Sequence, residues 1–149
     1  MNLKQFAAKM KKTASDMEYN IVEMKREVAV VVLTELANTT PVDTGLAVSN
    51  WRVAINQPVA YLIAPHAPGK YQSTRPANVR ATIAQGVQML DTLIGEDVVH
   101  IGNNLSYITD LDEGWSPQAP EGMTKNAIAK GIEAMHKVKL IGGRYVRSN

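Results

Sequence analysis

The sequence predicts an α+β fold in which a long N-terminal helix and two further helices pack on a small antiparallel sheet, with a long proline-rich arm. Three observations lead to this prediction. Helical periodicity runs from residue 3 to about 37 and returns at 77–93 and 124–138, and two β-prone runs, 51–55 and 98–102, separate these segments. At 149 residues the chain fits one domain, residues 1–149.

The long helix is predicted over residues 1–38 because apolar residues recur every four and three positions. Small or flexible side chains occupy most positions of this seam, so it would form only a weak coiled coil by itself. Two arrangements are open: the seam packs within its own subunit, or it lies against another element of an assembly, with the lysine-rich first half projecting. The seam residues are Leu3, Ala7, Met10, Ala14, Met17, Ile21, Met24, Val28 and Val31.

A turn at 38–45 is predicted to end the long helix, because the residue before Pro41 is disfavoured in a helix. Asp43 or Thr44 can cap a following short turn, and Gly45 permits its tight entry. Asp43 has no histidine, lysine or second carboxylate nearby in sequence, so we expect it to cap a helix and not to catalyse. The strand at 51–55 would bury Trp51, Val53 and Ile55.

An arm is predicted over residues 56–76, which contain four prolines. Irregular segments of this length within a compact domain are usually functional or disordered. Tyr61 and Tyr71 give the arm aromatic contact area, so we expect it to become ordered on a neighbouring subunit. The last helix is expected to turn Ile128, Ile132 and Met135 inward and to lead into a basic C-terminal tail, 139–149.

The segment 107–123 has the composition of a shaped contact surface. Ser106 can cap a short helical turn, Gly114 fits its left-handed exit, and two prolines stiffen the residues that follow. Gly122 then leads into the last helix. Trp115 is either a lid over the core or an interface anchor.

Two blocks resemble the neck and tail-completion proteins of tailed bacteriophages, the group that includes the HK97 gene-10-like and minor tail protein Z-like proteins. The first is Thr-Pro-Val-Asp-Thr-Gly at 40–45, ending in Ser-Asn-Trp at 49–51. The second contains Asn104 and Tyr107, then Leu-x-x-Gly at 111–114 and Ser-x-Gln-Ala-Pro-x-Gly-Met at 116–123. Both stand in the family's order. Leu46, where the family often has a basic residue, and the proline-rich arm depart from its pattern.

The resemblance implies a structural virion protein at the head–tail junction, assembled in the host bacterial cytoplasm. It would form a homo-oligomeric ring that joins the head connector or head-closure protein to the tail terminator, tail tube or sheath, with DNA passing through the lumen without sequence specificity. The expected subunit and partner interface comprises Tyr61, Tyr71, Tyr107, Leu111, Trp115, Ser116, Pro117, Gln118, Ala119, Pro120 and Met123. The expected turn and cap residues are Pro41, Asp43, Thr44, Gly45, Trp51, Gly114 and Gly122.

Composition argues against catalysis and cofactors. The chain has no cysteine and no closely spaced histidine pair, phosphate-binding loop or nucleophile elbow, so we expect no enzyme activity, metal or cofactor. Its longest apolar run is too short to span a membrane, and we expect no membrane partner. Residues 39–122 carry a net charge of −4 and residues 123–149 carry +5.

This charge asymmetry keeps a second hypothesis open, a nucleic-acid-binding module that uses the last helix and the tail. A third is a coiled-coil adaptor, for which residues 1–38 alone would self-associate. Simple solvated charges would also account for the basic residues. The candidate DNA-facing residues are Lys125, Lys130, Lys137, Lys139, Arg144 and Arg147.

Overall fold

The computed structural model describes residues 1–118 and 121–147, and it confirms the α+β fold with a long N-terminal helix. The helices are α1 (Leu3–Thr39), α2 (Leu46–Ser49), α3 (Arg75–Leu90), α4 (Ile108–Asp112) and α5 (Met123–Met135), and the strands are β1 (Arg52–Ile55) and β2 (Val99–Gly102). The two strands pair antiparallel, with Arg52 opposite Gly102 and Ile55 opposite Val99.

Helix α1 begins at a complete capping box. The Asn2 side chain accepts a hydrogen bond from the Gln5 amide and the Gln5 side chain accepts one from the Asn2 amide, each at 2.9 Å. Such reciprocal bonds satisfy two of the free amides of a first turn. Nearly all of residues 1–15 are nevertheless exposed, so the first half of the helix projects from the body of the protein. The core side of the second half consists of Ala29, Leu33, Leu36 and Ala37.

The predicted seam of α1 is not the face that the subunit buries. None of its nine residues is buried, whereas Asp16, Asn20 and Glu23 are. The seam residues Val28 and Met24 border an open groove, and those before residue 15 are exposed. The seam residues from Met17 to Val31 are half-buried, and Val28 lies near Gly131 of α5, so the second half of the seam borders the core and only its first half is exposed.

The core lies where α1, α3, α5 and the sheet meet. Trp51 precedes β1 by one residue and is buried with Val53, and its indole Nε1 donates to Thr40 Oγ1 at 2.7 Å. A side chain at Gly86 of α3 would overlap Leu33, which lets α3 lie close against α1. The predicted burial of Trp51 and Val53 is confirmed, and Ile55 is half-buried against the same core.

Helix α5 buries a different face from the expected one. Ile128, Ile132 and Met135 are exposed, and the small residues Ala127, Gly131 and Ala134 face inward. A Cβ at Gly131 would lie 2.6 Å from Val32 Cγ2. Helices α1 and α5 approach so closely that only the small-residue face of α5 fits against α1. The larger apolar side chains of α5 remain outside.

The arm at 56–76 does not extend from the subunit, because two buried asparagines bind its backbone. The Asn50 side chain accepts from the Ile63 amide and donates to the Ile63 carbonyl, both at 2.9 Å. Asn78 exchanges the same pair of bonds with Ala67, at 2.9 and 2.8 Å. These side chains replace the partner strand that an irregular backbone lacks.

The basic C-terminal segment is likewise held against α1. The fully buried Asn20 side chain donates to the Leu140 and Gly143 carbonyls, at 3.0 and 2.8 Å, and accepts from the Tyr145 amide at 2.7 Å. Arg147 binds both carboxylate oxygens of Glu23, at 2.6 and 2.7 Å. Up to residue 147, the predicted tail is thus part of the packed structure.

Candidate functional site

The two sequence blocks, far apart in the chain, meet on one surface. The Val42 amide donates to Gln118 Oε1 at 3.0 Å, which joins the first block to the second. Beside this bond lies a cleft of about 350 Å³, lined by residues within 41–47 and by Tyr107, Leu111, Ser116 and Gln118. We call residues 41–47 and 107–118 together the junction surface.

A short helix and two left-handed glycines set the shape of the second block. Helix α4 starts after Tyr107, and no side chain caps it, so the predicted cap by Ser106 is wrong. Gly114 and Gly122 have φ values of +85° and +83°, which L side chains rarely adopt. The Asp112 carboxylate binds the amide and the hydroxyl of Thr124, fixing α4 to the start of α5.

Trp115 points outward from the junction surface. Its exposed fraction is 73%, so it is not a lid over the core. Tyr61, Tyr71 and Tyr107 are also exposed and are available to a partner. Pro117 is exposed, and Ser116 Oγ accepts from the Gln118 amide at 3.2 Å within the same loop.

Four further predicted interface residues are buried, half-buried or outside the described residues. Met123 is 1% exposed and packs in the core beside Thr40, so its assignment to an interface is wrong. Leu111 is half-buried, because it packs on the same core while lining the cleft. Ala119 and Pro120 lie outside the described residues.

The first block forms a turn whose bonds differ from the predicted cap. Asp43 Oδ1 accepts from the Tyr71 amide at 2.9 Å, tying the arm to the turn instead of capping α2. Thr44 Oγ1 accepts a long bond of 3.4 Å from the Leu46 amide. Gly45 has a φ of +88°, and a Cβ there would overlap Asn78. Pro41 is buried next to this turn.

The predicted basic surface is partly neutralised within the chain. Lys130 pairs with Glu35 at 2.7 Å, Arg144 with Asp16 at 3.1 Å and Arg147 with Glu23 at 2.6 Å. Arg147 lowers the pKa of Glu23, and Lys12 and Arg144 lower that of Asp16, because each cation bonds to the ionised carboxylate. The nucleic-acid interface stays a prediction. Among the described residues, the candidate DNA-facing cations that are exposed and form no ion pair are Lys125, Lys137 and Lys139.

Residue patterns gave no indication of the three fully buried asparagines, Asn20, Asn50 and Asn78. Each holds an irregular segment, and Asn78 also accepts from the Ser49 hydroxyl at 3.0 Å, beneath the first block. An asparagine on a helix resembles a surface residue in sequence, and only the tertiary path shows which backbone it binds. Ser49 and Asn50 belong to the first block, but the resemblance implies no structural role for either.

No group of three or more His, Asp or Glu residues within 1–118 and 121–147 is placed to hold a metal ion, and no helix there is long and apolar enough to cross a membrane. Burial, with the nearby Arg52 charge, lowers the pKa of His66, whose Nε2 is buried without a partner among these residues. Comparisons with family models, curated proteins and solved structures find no significant match to this chain.

Proposed function

We propose that this chain is a structural subunit of a phage head–tail junction. The proposal rests on the ordered resemblance of its two blocks to neck and tail-completion proteins. The observation that supports it most is that parts of both blocks, 41–44 and residues 107, 111, 116 and 118, meet at one open cleft and are joined by the bond from Val42 to Gln118. The other residues of the blocks, among them Trp51 and Met123, are buried and support this cleft from the core side.

The chemistry of this surface suits recognition of a protein. It has an outward tryptophan, an exposed proline and the carboxylates of Asp43 and Glu113, placed on turns that glycines hold in fixed conformations. Aromatic residues in fixed positions lose little conformational entropy on binding and are frequent at interface centres. The partners in this proposal are identical subunits, a head connector or head-closure protein, and a tail terminator, tail tube or sheath.

The mechanism is assembly. A contact between two different patches on identical subunits closes into a ring when its rotation closes. DNA passes through the lumen of such a ring without sequence-specific contacts. The arm at 56–76 contributes its exposed Tyr61 and Tyr71 side chains to neighbouring subunits while its backbone remains bound to its own subunit.

The purified protein tests this function. We expect mass photometry to give a single oligomer of defined subunit number, and negative-stain electron microscopy to show rings with a central opening. A monomer at all concentrations that binds duplex DNA in a salt-dependent way would instead support the nucleic-acid-binding module. A monomer that binds no DNA would argue against both functions.

A further inference from the structure

An apolar groove lies open between the second half of α1, α5 and β2. Its volume is about 450 Å³, and its lining includes Met24, Val28, Val32, Val98, Ile101 and Met135. Val98 is 56% exposed, so the groove is accessible from outside. The exposed Ile132 and Ile128 lie one and two turns before Met135 on the same face of α5, and they extend the apolar surface.

The exposed start of α1, up to residue 15, is called the projecting half, and it carries an apolar stripe that could pack in an apolar groove. Leu3, Phe6 and Met10 are exposed at helical spacing, and Phe6 is 51% exposed. The capping box at Asn2 stabilises the helix at its first residue, although almost nothing in the subunit packs against residues 1–15. A short helix without tertiary packing is only marginally stable, so the projecting half gains stability from a surface that covers it.

The projecting half cannot reach the groove of its own chain. Both are parts of the one continuous helix α1, and Met10 precedes Met24 by 14 residues, which corresponds to about 21 Å along the axis. Docking within one subunit would require the helix to break and fold back. A second copy of the chain has no such restriction.

The charges of the two surfaces favour their contact. Residues 1–15 carry four lysines and no acidic residue. The charged residues that line the groove are Glu96, Asp97 and Lys25, and the Lys25 ammonium already donates to the Gly95 and Asp97 carbonyls, at 2.6 and 2.7 Å. A parallel contact between two projecting halves, by contrast, would place lysines against lysines.

We propose that the projecting half of α1 of one copy packs in the apolar groove of a second copy, as the donor and the acceptor of a repeated contact. This inference rests on the proposed function and identifies the surfaces through which its ring is built. Because donor and acceptor are different patches, the contact is heterologous, and an open oligomer keeps one free donor at one end and one free acceptor at the other until the ring closes.

Disulfide trapping tests the contact directly, because the chain contains no cysteine. Under mild oxidation, Phe6→Cys combined with Val98→Cys or with Ile132→Cys should give a ladder of covalent multimers. Phe6→Cys combined with Val146→Cys, at an 83% exposed position on the C-terminal segment, is the matched control and should give none beyond the background of the single variants. Equal cross-linking of control and groove pairs would overturn the contact.

Mixing two variants tests, without cross-links, whether the contact joins a donor on one copy to an acceptor on another. Phe6→Ser removes the donor, and Val98→Lys repels the lysine-rich donor from the acceptor, so each variant alone should be monomeric by mass photometry. An equimolar mixture retains one intact donor and one intact acceptor, and it should form 1:1 dimers that do not grow further. Val146→Lys, the same change outside the groove, should assemble like the wild type.

The outcomes separate this contact from the proposed function. If the wild type, Phe6→Ser and Val98→Lys all form the same rings, the proposed contact is wrong but the proposed ring is supported. If the wild type is monomeric at every concentration, both fail. Near-ultraviolet circular dichroism, which reports tertiary packing, should match the wild type in each variant because the changed side chains lie outside the core, and it shows that loss of assembly is not loss of folding.

Discussion

Three buried asparagines account for the order of the irregular segments. Asn20 binds the C-terminal segment, Asn50 and Asn78 bind the arm, and all three are almost completely buried. Their side chains have both a donor and an acceptor, so each can satisfy an N–H and a C=O of a backbone that has no strand partner. Segments that composition alone suggests are extended are therefore fixed by single side chains elsewhere in the chain.

Replacing Asn20 with alanine should release the C-terminal segment. The change leaves two carbonyls and one amide without a partner unless the segment separates and binds water, and we expect a loss of about 2 kcal/mol in the free energy of unfolding. Chemical denaturation measures this loss. Asn104→Ala removes one bond of an exposed asparagine and should change the free energy by less than about 0.5 kcal/mol. Equal losses for both variants would contradict the role of Asn20.

The same segment should detach in acid. The pKa of Glu23 is lowered from its usual value of 4.5, chiefly by the hydrogen bonds from Arg147. A carboxylate with a lowered folded-state pKa stabilises the fold above its unfolded pKa and loses this effect as the pH falls through the folded value. NMR signals of residues 140–147 should stay constant from pH 7 to 4.5 and change below it. In Glu23→Gln they should already be changed at pH 7.

At the scale of elements, the sequence predicted which helices and strands exist better than which face each one buries. The periodicity at 124–138 gave the last helix, but it also pointed to Ile128, Ile132 and Met135 as the inner face. That prediction of the inner face considers only the hydrophobicity of the side chains. The structure instead follows the close approach at Gly131, which periodicity does not show.

A side chain at position 131 should force α1 and α5 apart. Gly131→Val would place atoms against Val32 and Val28, and we expect a loss of about 2–3 kcal/mol in the free energy of unfolding. The matched change Gly95→Val enters open space, and its effect should stay within about 0.5 kcal/mol. Thermal and chemical denaturation of both variants measure the difference. A neutral Gly131→Val would mean that the helices are not in close contact.

The local turns of the candidate site could be predicted from the sequence, but the meeting of its two blocks in the fold could not. Residue types alone indicated the turn at 38–45 and the left-handed conformation of Gly114, because few residues adopt such conformations, whereas the left-handed conformation of Gly122 was not predicted. The bond between Val42 and Gln118 depends on how the chain returns to the end of α1, which local patterns do not encode. For the same reason, Met123 was predicted at an interface although it lies in the core.

At the scale of the whole molecule, α1 separates the two surfaces for which we propose contacts. The projecting half stands at its start, and the junction surface follows directly after its end at Thr39. A helix of 37 residues spans about 55 Å. In the proposed ring, the projecting half would bind a sibling subunit and the junction surface would bind a head or tail component.

The most direct test counts particles in a phage lysate that lacks this chain. Negative-stain electron microscopy should show separate heads and tails, and adding the purified wild-type protein should join them. Trp115→Ser, a change at an exposed position, should fold normally and join at least about tenfold fewer particles, while Val146→Ser should match the wild type. Complete, joined particles in the lysate without the chain would contradict its place at the head–tail junction.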